Sequence, residues 1–438
     1  MFLVLELHQK NIANHYAMVE TICNINTKHS VIFIATGCHM NSEETLAVFE
    51  RLAEDSQKSL KVDRNKITVG DAPNGKYFRT YNQREACDAT ELNHRQMIKT
   101  IDDLSIDSTD GRKFCIDIND VEKIREHLFV DERLVRTTFN KAIIVAISNL
   151  KGGTGKTTVT TTFSTGLCTE TQKRYRVLVI DLDPQGTASM YLKPNISDDD
   201  FTVGDLLIGN YALDEGETFE ELAKATCYPT NTPDLHVMPI RPSDRNYEVV
   251  SKKKQNNEEE KGREFIVYED LKKIIDAVSD DFDVIMLDTP PNFGALTISA
   301  HYVANSLIVP VLPSQNDRDS TSKYFDFLTE AYKVIQLLGH KGYDSVNVLP
   351  TAVDIHSNAQ TSIASKVRIA SSNNCFSVDF LESEAIKNCA EKQNTIFDQS
   401  ASEYDATRSS LKSIQNSTRT LIFALEAQIQ QIWREELK

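Results

Sequence analysis

The sequence lacks the paired cysteines that build metal sites and disulfide frameworks. Its eight cysteines, Cys23, Cys38, Cys87, Cys115, Cys168, Cys227, Cys375 and Cys389, form no CxxC pair, and no two histidines stand at zinc spacing. A metal or redox centre is therefore not expected, and the thiols read as reduced groups of a cytoplasmic chain. Glycine (16) and proline (12) are scarce for 438 residues, which excludes collagen-like and low-complexity classes. No apolar run approaches the ~20 residues that span a bilayer. The apolar start at residues 1–5 has no basic residue before it, and Glu6, His8 and Lys10 break it off at once, so it does not read as a signal peptide. A basic excess is also missing. The 48 Lys and Arg face 64 Asp and Glu, a formal net charge of −16, which argues against a simple basic nucleic-acid coat but leaves room for a local basic patch.

What is present is ordinary globular composition, 40% apolar and 26% charged. At ~100–200 residues per domain, the length fits one large domain with an appendage, or two to three domains. Residues 1–39 hold two short apolar pieces without a period and stay an unassigned N-terminal extension; Met40 is either the natural start or an interior residue. Residues 40–76 read as a helix and linker, with Leu46, Phe49 and Leu52 at helical spacing over 43–53. Residues 77–140 predict a helix at 81–89, a turn at 90–92, a second helix at 93–104, a turn at 110–113 and an alternating run at 114–118. That is the outline of a winged helix-turn-helix. His94, Arg95, Gln96 and Lys99 on the second helix, with Arg112 and Lys113 in the turn, are its candidate DNA contacts. A small helical packing domain would have the same outline.

From residue 141 to 438 the pattern is strand and helix in alternation. Apolar runs at 143–147, 176–180, 235–239, 284–287, 306–311 and 346–349 are separated by helical periods, notably 156–169, 265–277, 295–304 and 322–338. Continuous Val/Ile/Leu strands between helices predict an α/β domain with a mainly parallel sheet. The mixed-charge run at 252–261 reads as a solvated loop or insertion.

The first of these strands runs into Lys151-Gly152-Gly153-Thr154-Gly155-Lys156-Thr157-Thr158. Glycines allow backbone N–H groups to curl around phosphate oxygens, and the helix after them aims its positive end at the anion. Lys156 would reach the β- and γ-phosphates, Thr157 would ligate Mg2+ and Thr158 would bond the α-phosphate. The run departs from G-x-x-x-x-G-K-[ST] in lacking the leading glycine. Two further strands end in Asp181-Leu182-Asp183-Pro184-Gln185 and Asp288-Thr289-Pro290-Pro291. Both place carboxylates at the carboxyl edge of the sheet, where ligands bind in open α/β folds.

These three segments resemble the deviant Walker A, switch I and Walker B/switch II motifs of the ParA/MinD ATPases. With the helix-turn-helix-like region, the chain is similar to the large, type Ia ParA partition proteins over about residues 78–435. The resemblance implies ATP and Mg2+ as ligands, a cytoplasmic, nucleoid-associated homodimer or DNA filament, and a ParB-type centromere-binding partner that stimulates hydrolysis. It implies that Lys151 reaches across the dimer to the partner's nucleotide, that Asp183 orients the attacking water, and that Asp181 and Asp288 hold Mg2+ through water. Non-specific DNA binding, with own-operator binding by the N-terminal region, is implied as well. Lys387, Lys392 and Arg408 are the candidate DNA contacts in the C-terminal third. Two alternatives stand beside this reading: a MinD-like membrane-associated regulator and a P-loop metabolic ligase. The apolar stripe of the last helix, at 405–437, reads as core or dimer packing; its Glu-rich polar face does not suit a membrane anchor.

Overall fold

The computed structural model describes residues 42–67, 75–111, 113–129, 141–260 and 268–436. Residues 1–39, Met40, Arg112 and the end of the 77–140 region lie outside the described residues. The chain divides into two units, Met1–Lys61 and Val62–Lys438. Helix α1 (Ser42–Ile67) crosses their boundary and is longer than the 43–53 period predicts.

The second unit begins with β1 (Thr80–Tyr81), α2 (Gln83–Thr90), α3 (His94–Asp103), β2 (Thr109–Asp110), β3 (Lys113–Phe114), β4 (Ile116–Asp117) and α4 (Ile118–Phe129). Tyr81 ends β1 rather than opening a helix, and Asn82 and Asn93 are N-caps rather than helical residues. Each forms a capping box, Asn82 with Glu85 and Asn93 with Gln96. The alternating run at 114–118 is divided between two ladders. Phe114 pairs with Thr109, whereas Ile116 pairs with Tyr81, and Ile118 already opens α4. Ala86, Met97, Ile101, Ile116, Val121 and Ile124 form a small core of their own.

The α/β domain carries β5 (Ile143–Ile147), α5 (Lys156–Thr169), β6 (Val177–Asp181), α6 (Thr187–Leu192), α7 (Val203–Ile208), α8 (Phe219–Ala225), β7 (Tyr228–Pro229), β8 (Leu235–Met238), α9 (Tyr247–Glu260), α10 (Glu269–Val278), β9 (Val284–Asp288), α11 (Ala295–Val303), β10 (Ser306–Val311), α12 (Gln315–Leu337), β11 (Ser345–Pro350), α13 (Asn358–Ser371), α14 (Glu384–Glu391) and α15 (Arg408–Glu436). Strand order is β11-β10-β5-β9-β6-β8-β7, parallel except for the β7 edge. Period-two alternation sorts side chains to the two faces. Val177, Val179, Val284 and Met286 join the core beneath α5 and α15; Leu178, Ile180, Ile285 and Leu287 join the opposite core with α10 and α11. Over residues 252–260 the mixed-charge run is not a loop: it lies in α9. Tyr247 and Ser251 are buried under it and Lys254 donates to the Leu207 carbonyl at 3.0 Å, while Lys, Glu and Gln are strong helix formers on the outer face. Likewise α12 starts before the period at 322.

Leu421, Ile422, Leu425, Ile429, Ile432 and Trp433 of α15 are buried in the core, with Trp433 stacked on Tyr175 at 6.3 Å. That accounts for the apolar stripe by packing. Among the described residues no helix is long and apolar enough to cross a membrane.

The N-terminal elements are bound to the α/β domain through cations set at helix ends. The buried Lys76 ammonium donates to the Tyr191 carbonyl in the last turn of α6 and pairs with Asp398 at 3.2 Å. Glu170, the C-cap of α5, accepts from Arg79 at 3.0 Å and from Arg419 at 2.6 and 2.9 Å. Arg125 donates to the Thr169 carbonyl at 3.1 Å. Burial alone would raise the Glu170 carboxyl; the guanidiniums of Arg79 and Arg419 overcome it and hold it below the usual range.

Candidate nucleotide-binding site

Strands β5, β6 and β9 are adjacent and in register. Ile147 lies opposite Asp288, and Asp288 opposite Asp181. The loop after β5 and both acid-bearing strand ends therefore meet at one carboxyl edge. The sequence places these residues at strand ends; the strand order brings them together.

The loop is shaped from within. Asn149 donates to the Pro310 carbonyl at 2.8 Å and accepts from the Lys151 N–H at 3.0 Å. Gly153 and Gly155 have φ of 77° and 83°, a left-handed conformation that suits glycine. Gly155 is the N-cap of α5 and offers no side-chain cap, so the first N–H groups of that helix face the loop. Lys156 is buried, and its ammonium donates to the Lys151 carbonyl at 3.3 Å. Burial lowers its pKa, while Asp288 and Asp183 pull in the opposite direction. Gly152 and Gly153 are exposed at the mouth of the loop, Lys151 and Thr158 are partly exposed, and Thr154 is buried.

The acids are held differently. Asp181 is fully buried, and both its oxygens are engaged. One accepts from Ser189 N–H and Oγ at 2.8 and 2.7 Å, the other from the Asp183 N–H at 3.1 Å. Asp288 is also fully buried, but its partners are rotatable hydroxyls, Thr157 at 2.7 Å and Thr160 at 3.1 Å. Burial pushes the Asp288 carboxyl up to about 7; the nearby Asp183 charge adds to the rise, and the two threonine hydroxyls and Lys156 oppose it. Burial raises Asp181 as well, with the Asp288 charge second. Asp183 is partly exposed, and its carboxylate accepts from the Gln185 N–H at 3.0 Å.

Two desolvated carboxylates side by side form a charge deficit that suits a cation. Among the described residues no three His, Cys, Asp or Glu converge on one point, so a cation here would draw further oxygen ligands from a hydroxyl such as Thr157 and from phosphate or water. That donor set fits Mg2+, which is commonly held by one or two carboxylates plus substrate phosphates.

Sequence reasoning missed several residues that support this site. Ser189 fixes Asp181 and also accepts from the Ile240 N–H at 3.0 Å. Thr160 lies one turn beyond Lys156, on the face that meets Asp288, and that spacing was an available signal. Thr351, just past β11, donates to the Thr154 carbonyl at 2.8 Å and clamps the loop from two strands away.

The proposed DNA contacts lie apart from the loop. His94, Arg95, Gln96 and Lys99 are exposed on α3, although Gln96 uses its amide oxygen in the capping box, and Lys113 is exposed in the β2–β3 hairpin. Lys387 pairs with Glu384 and Glu382, Lys392 with Asp405, and Arg408 donates to the Ser402 carbonyl at 3.4 Å. Exposed pairs of this kind are weak and screened by solvent, so a phosphate can compete for these cations.

The fold and this loop define a P-loop nucleotide-binding α/β domain. Residues 142–336 match the family model described as AAA domain. The chain is 24% identical over 392 residues to Putative replication protein A of Rhizobium rhizogenes, covering 86% of this chain and 94% of that protein. It is 31% identical over 229 residues to Plasmid partition protein A of Escherichia coli, covering 51% of this chain and 55% of that protein. The sporulation initiation inhibitor protein Soj of Bacillus subtilis is 32% identical over 170 residues, 38% of this chain and 57% of that protein. A solved structure described as a partition protein shares the fold, with a TM-score of 0.55 and 21% identity over 81% of this chain and 97% of that one. Over residues 142–336 the chain is thus similar to an AAA domain.

Proposed function

We propose that this protein is a DNA-partition ATPase. The observation that carries the reading is the meeting, at one sheet edge, of the Lys151–Thr158 loop with the two buried acids Asp181 and Asp288. The ATP phosphates lie in the loop, bound by backbone N–H groups and Lys156. Thr157 and Asp288 hold Mg2+, with Asp181 behind them. Mg2+ would offset charge on the phosphate oxygens. Asp183, on a partly exposed loop tied to Asp181 through its own N–H, orients the attacking water. Lys151 acts across a homodimer, tying hydrolysis to dimerisation as an arginine finger does.

The names of the relatives support the cellular role. One is a plasmid partition protein, and another is named as a replication protein. ATP binding drives dimerisation and non-specific DNA association, a ParB-type partner stimulates hydrolysis, and the ADP form releases DNA. Elements β1 to α4 act as a winged helix-turn-helix, with α3 presenting His94, Arg95, Gln96 and Lys99 to an operator and Lys113 in the wing. Lys387, Lys392 and Arg408 supply phosphate contacts. Nucleoid association follows from these contacts, and burial of the α15 stripe favours this reading over membrane association.

The test is the ATPase rate with and without non-specific duplex DNA, beside DNA binding in ATP, ADP and no nucleotide. ATP-dependent, salt-sensitive DNA binding with slow, DNA-modulated turnover is the expected result. Turnover with no DNA binding in any state would discard partition and favour the ligase or membrane readings.

A further inference from the structure

The segment after Asp288 runs through Thr289–Gly294 into α11 and is braced from several sides. Thr289 donates to the Ile147 carbonyl at 2.8 Å, and Thr297 donates back to the Asn292 carbonyl at 2.8 Å. The N-cap of α11 is Gly294, which has no side chain to satisfy the first N–H groups. A carboxylate from another helix takes that place: Glu248, in the first turn of α9, accepts from the Ala295 N–H at 2.7 Å. The fit is close. A Cβ at Gly294 would stand 2.0 Å from the Glu248 Oε1, so a side chain there would expel the carboxylate.

The position of Glu248 gives this cap a role beyond helix stability. Eight residues before it, Ile240 donates its N–H to Ser189 Oγ, and Ser189 Oγ donates to Asp181. Residues 240–248 therefore touch both acid-bearing loops, the Asp181 loop through Ser189 and the Asp288 loop through Glu248. Tyr247 is buried beside it, and Lys254 anchors α9 on the Leu207 carbonyl, so the carboxylate is presented from a fixed helix.

We propose that Glu248 is a positioning residue for ATP hydrolysis: by capping α11 from α9 it fixes the 289–294 loop, and with it the placement of the acid edge relative to the phosphate loop. This rests on the ATPase reading. Glu248 touches no reacting group. It acts through the Ala295 N–H and the loop that precedes it.

The test compares E248A, E248Q and G294A with wild type in the full chain, measuring kcat, KM and nucleotide affinity with Mg-ATP. Removing the acceptor in E248A should lower kcat roughly ten- to a hundredfold, the scale of small misplacements in a reacting geometry. ATP affinity should stay within about threefold, because the Lys151–Thr158 loop is untouched. E248Q keeps an acceptor oxygen and should recover most of the rate. G294A should reproduce E248A by displacing the carboxylate from a site it does not itself occupy. Wild-type turnover with an indifferent E248A, or an E248Q as slow as E248A, would overturn the proposal. A wild-type protein that does not hydrolyse ATP would instead overturn the ATPase reading, so the two failures are separable.

Discussion

Asp288→Asn should remove a stability loss that the ligand-free protein suffers as pH rises. Asp288 is fully buried beside Asp181, Asp183 and Lys156, and its carboxyl is pushed up to about 7. An unfolded aspartate titrates near ~3.9. A raised acid binds its proton more tightly in the folded chain, so this group's contribution to stability falls as pH rises from about 4 and levels off above about 7. Relative to the unfolded chain the penalty is roughly 1–2 kcal/mol at pH 5 and roughly 4 kcal/mol at pH 8, a loss of about 2–3 kcal/mol across that range. The asparagine variant has no charge to bury. It keeps one acceptor for Thr157 or Thr160, and the other hydroxyl can turn to accept from the amide.

The assay is thermal unfolding of both proteins in chelator-containing, nucleotide-free buffer at pH 5, 6, 7 and 8. At about 2–4 °C per kcal/mol for a large domain, the gap between variant and wild type should widen by roughly 5 °C or more from pH 5 to pH 8. Groups outside the site shift both curves together, while Asp181 and Lys156 feel the Asp288 charge, so the difference reports this acid edge as one coupled unit. The same variant should lose ATP turnover. Parallel curves over the whole range would refute the claim that burial raises the Asp288 carboxyl.

The same geometry sets three further outcomes. Lys156→Ala should abolish ATP binding in a fluorescent-nucleotide titration, since Lys156 is the buried cation of the loop; normal affinity would end the P-loop assignment. Lys151→Ala should retain ATP binding but lose DNA- and partner-stimulated hydrolysis, and unchanged stimulated turnover would remove its role across the dimer. Glu170→Ala leaves Arg79 and Arg419 without their shared carboxylate and should destabilise the protein by about 3–5 kcal/mol in denaturant unfolding, with a loss below ~1 kcal/mol contradicting a buried triad at this position.

The central architecture was legible because its elements are locally self-consistent. Strands at 143–147 and 306–311 and the helix at 156–169 coincide with β5, β10 and α5, since strands covered on both faces must be continuously apolar. The short elements were not legible. β7 is Tyr228–Pro229 on the sheet edge, and α6, α7 and α8 are six or seven residues each, too short for a period to declare itself. The error at 252–261 has a different cause. A run of Lys and Glu says only that one surface is solvated, and the residues that make α9 a helix of this fold, Tyr247 and Ser251, lie at or before its charged edge.

The site divides in the same way, and the division has a physical basis. Residues that would touch phosphate, Gly153, Gly155, Lys156 and Thr157, are confined by chemistry to one loop and so fall in one readable run. Residues that hold that loop and its acids in place come from wherever the chain passes close: Ser189 on α6, Thr351 past β11, Glu248 on α9. Each contributes one or two hydrogen bonds of an ordinary kind, and serine, threonine and glutamate in those numbers occur throughout any sequence. What distinguishes them is the atom they face, which is fixed by strand order rather than by spacing. The strand pairing that puts Asp181 opposite Asp288 also brings Ile240 against Ser189 and Glu248 against the helix that comes after Asp288. Replacing Gly153, Gly155 or Lys156 should therefore act on nucleotide affinity, whereas replacing Ser189 or Glu248, which brace the acid edge, should act on turnover at nearly constant affinity.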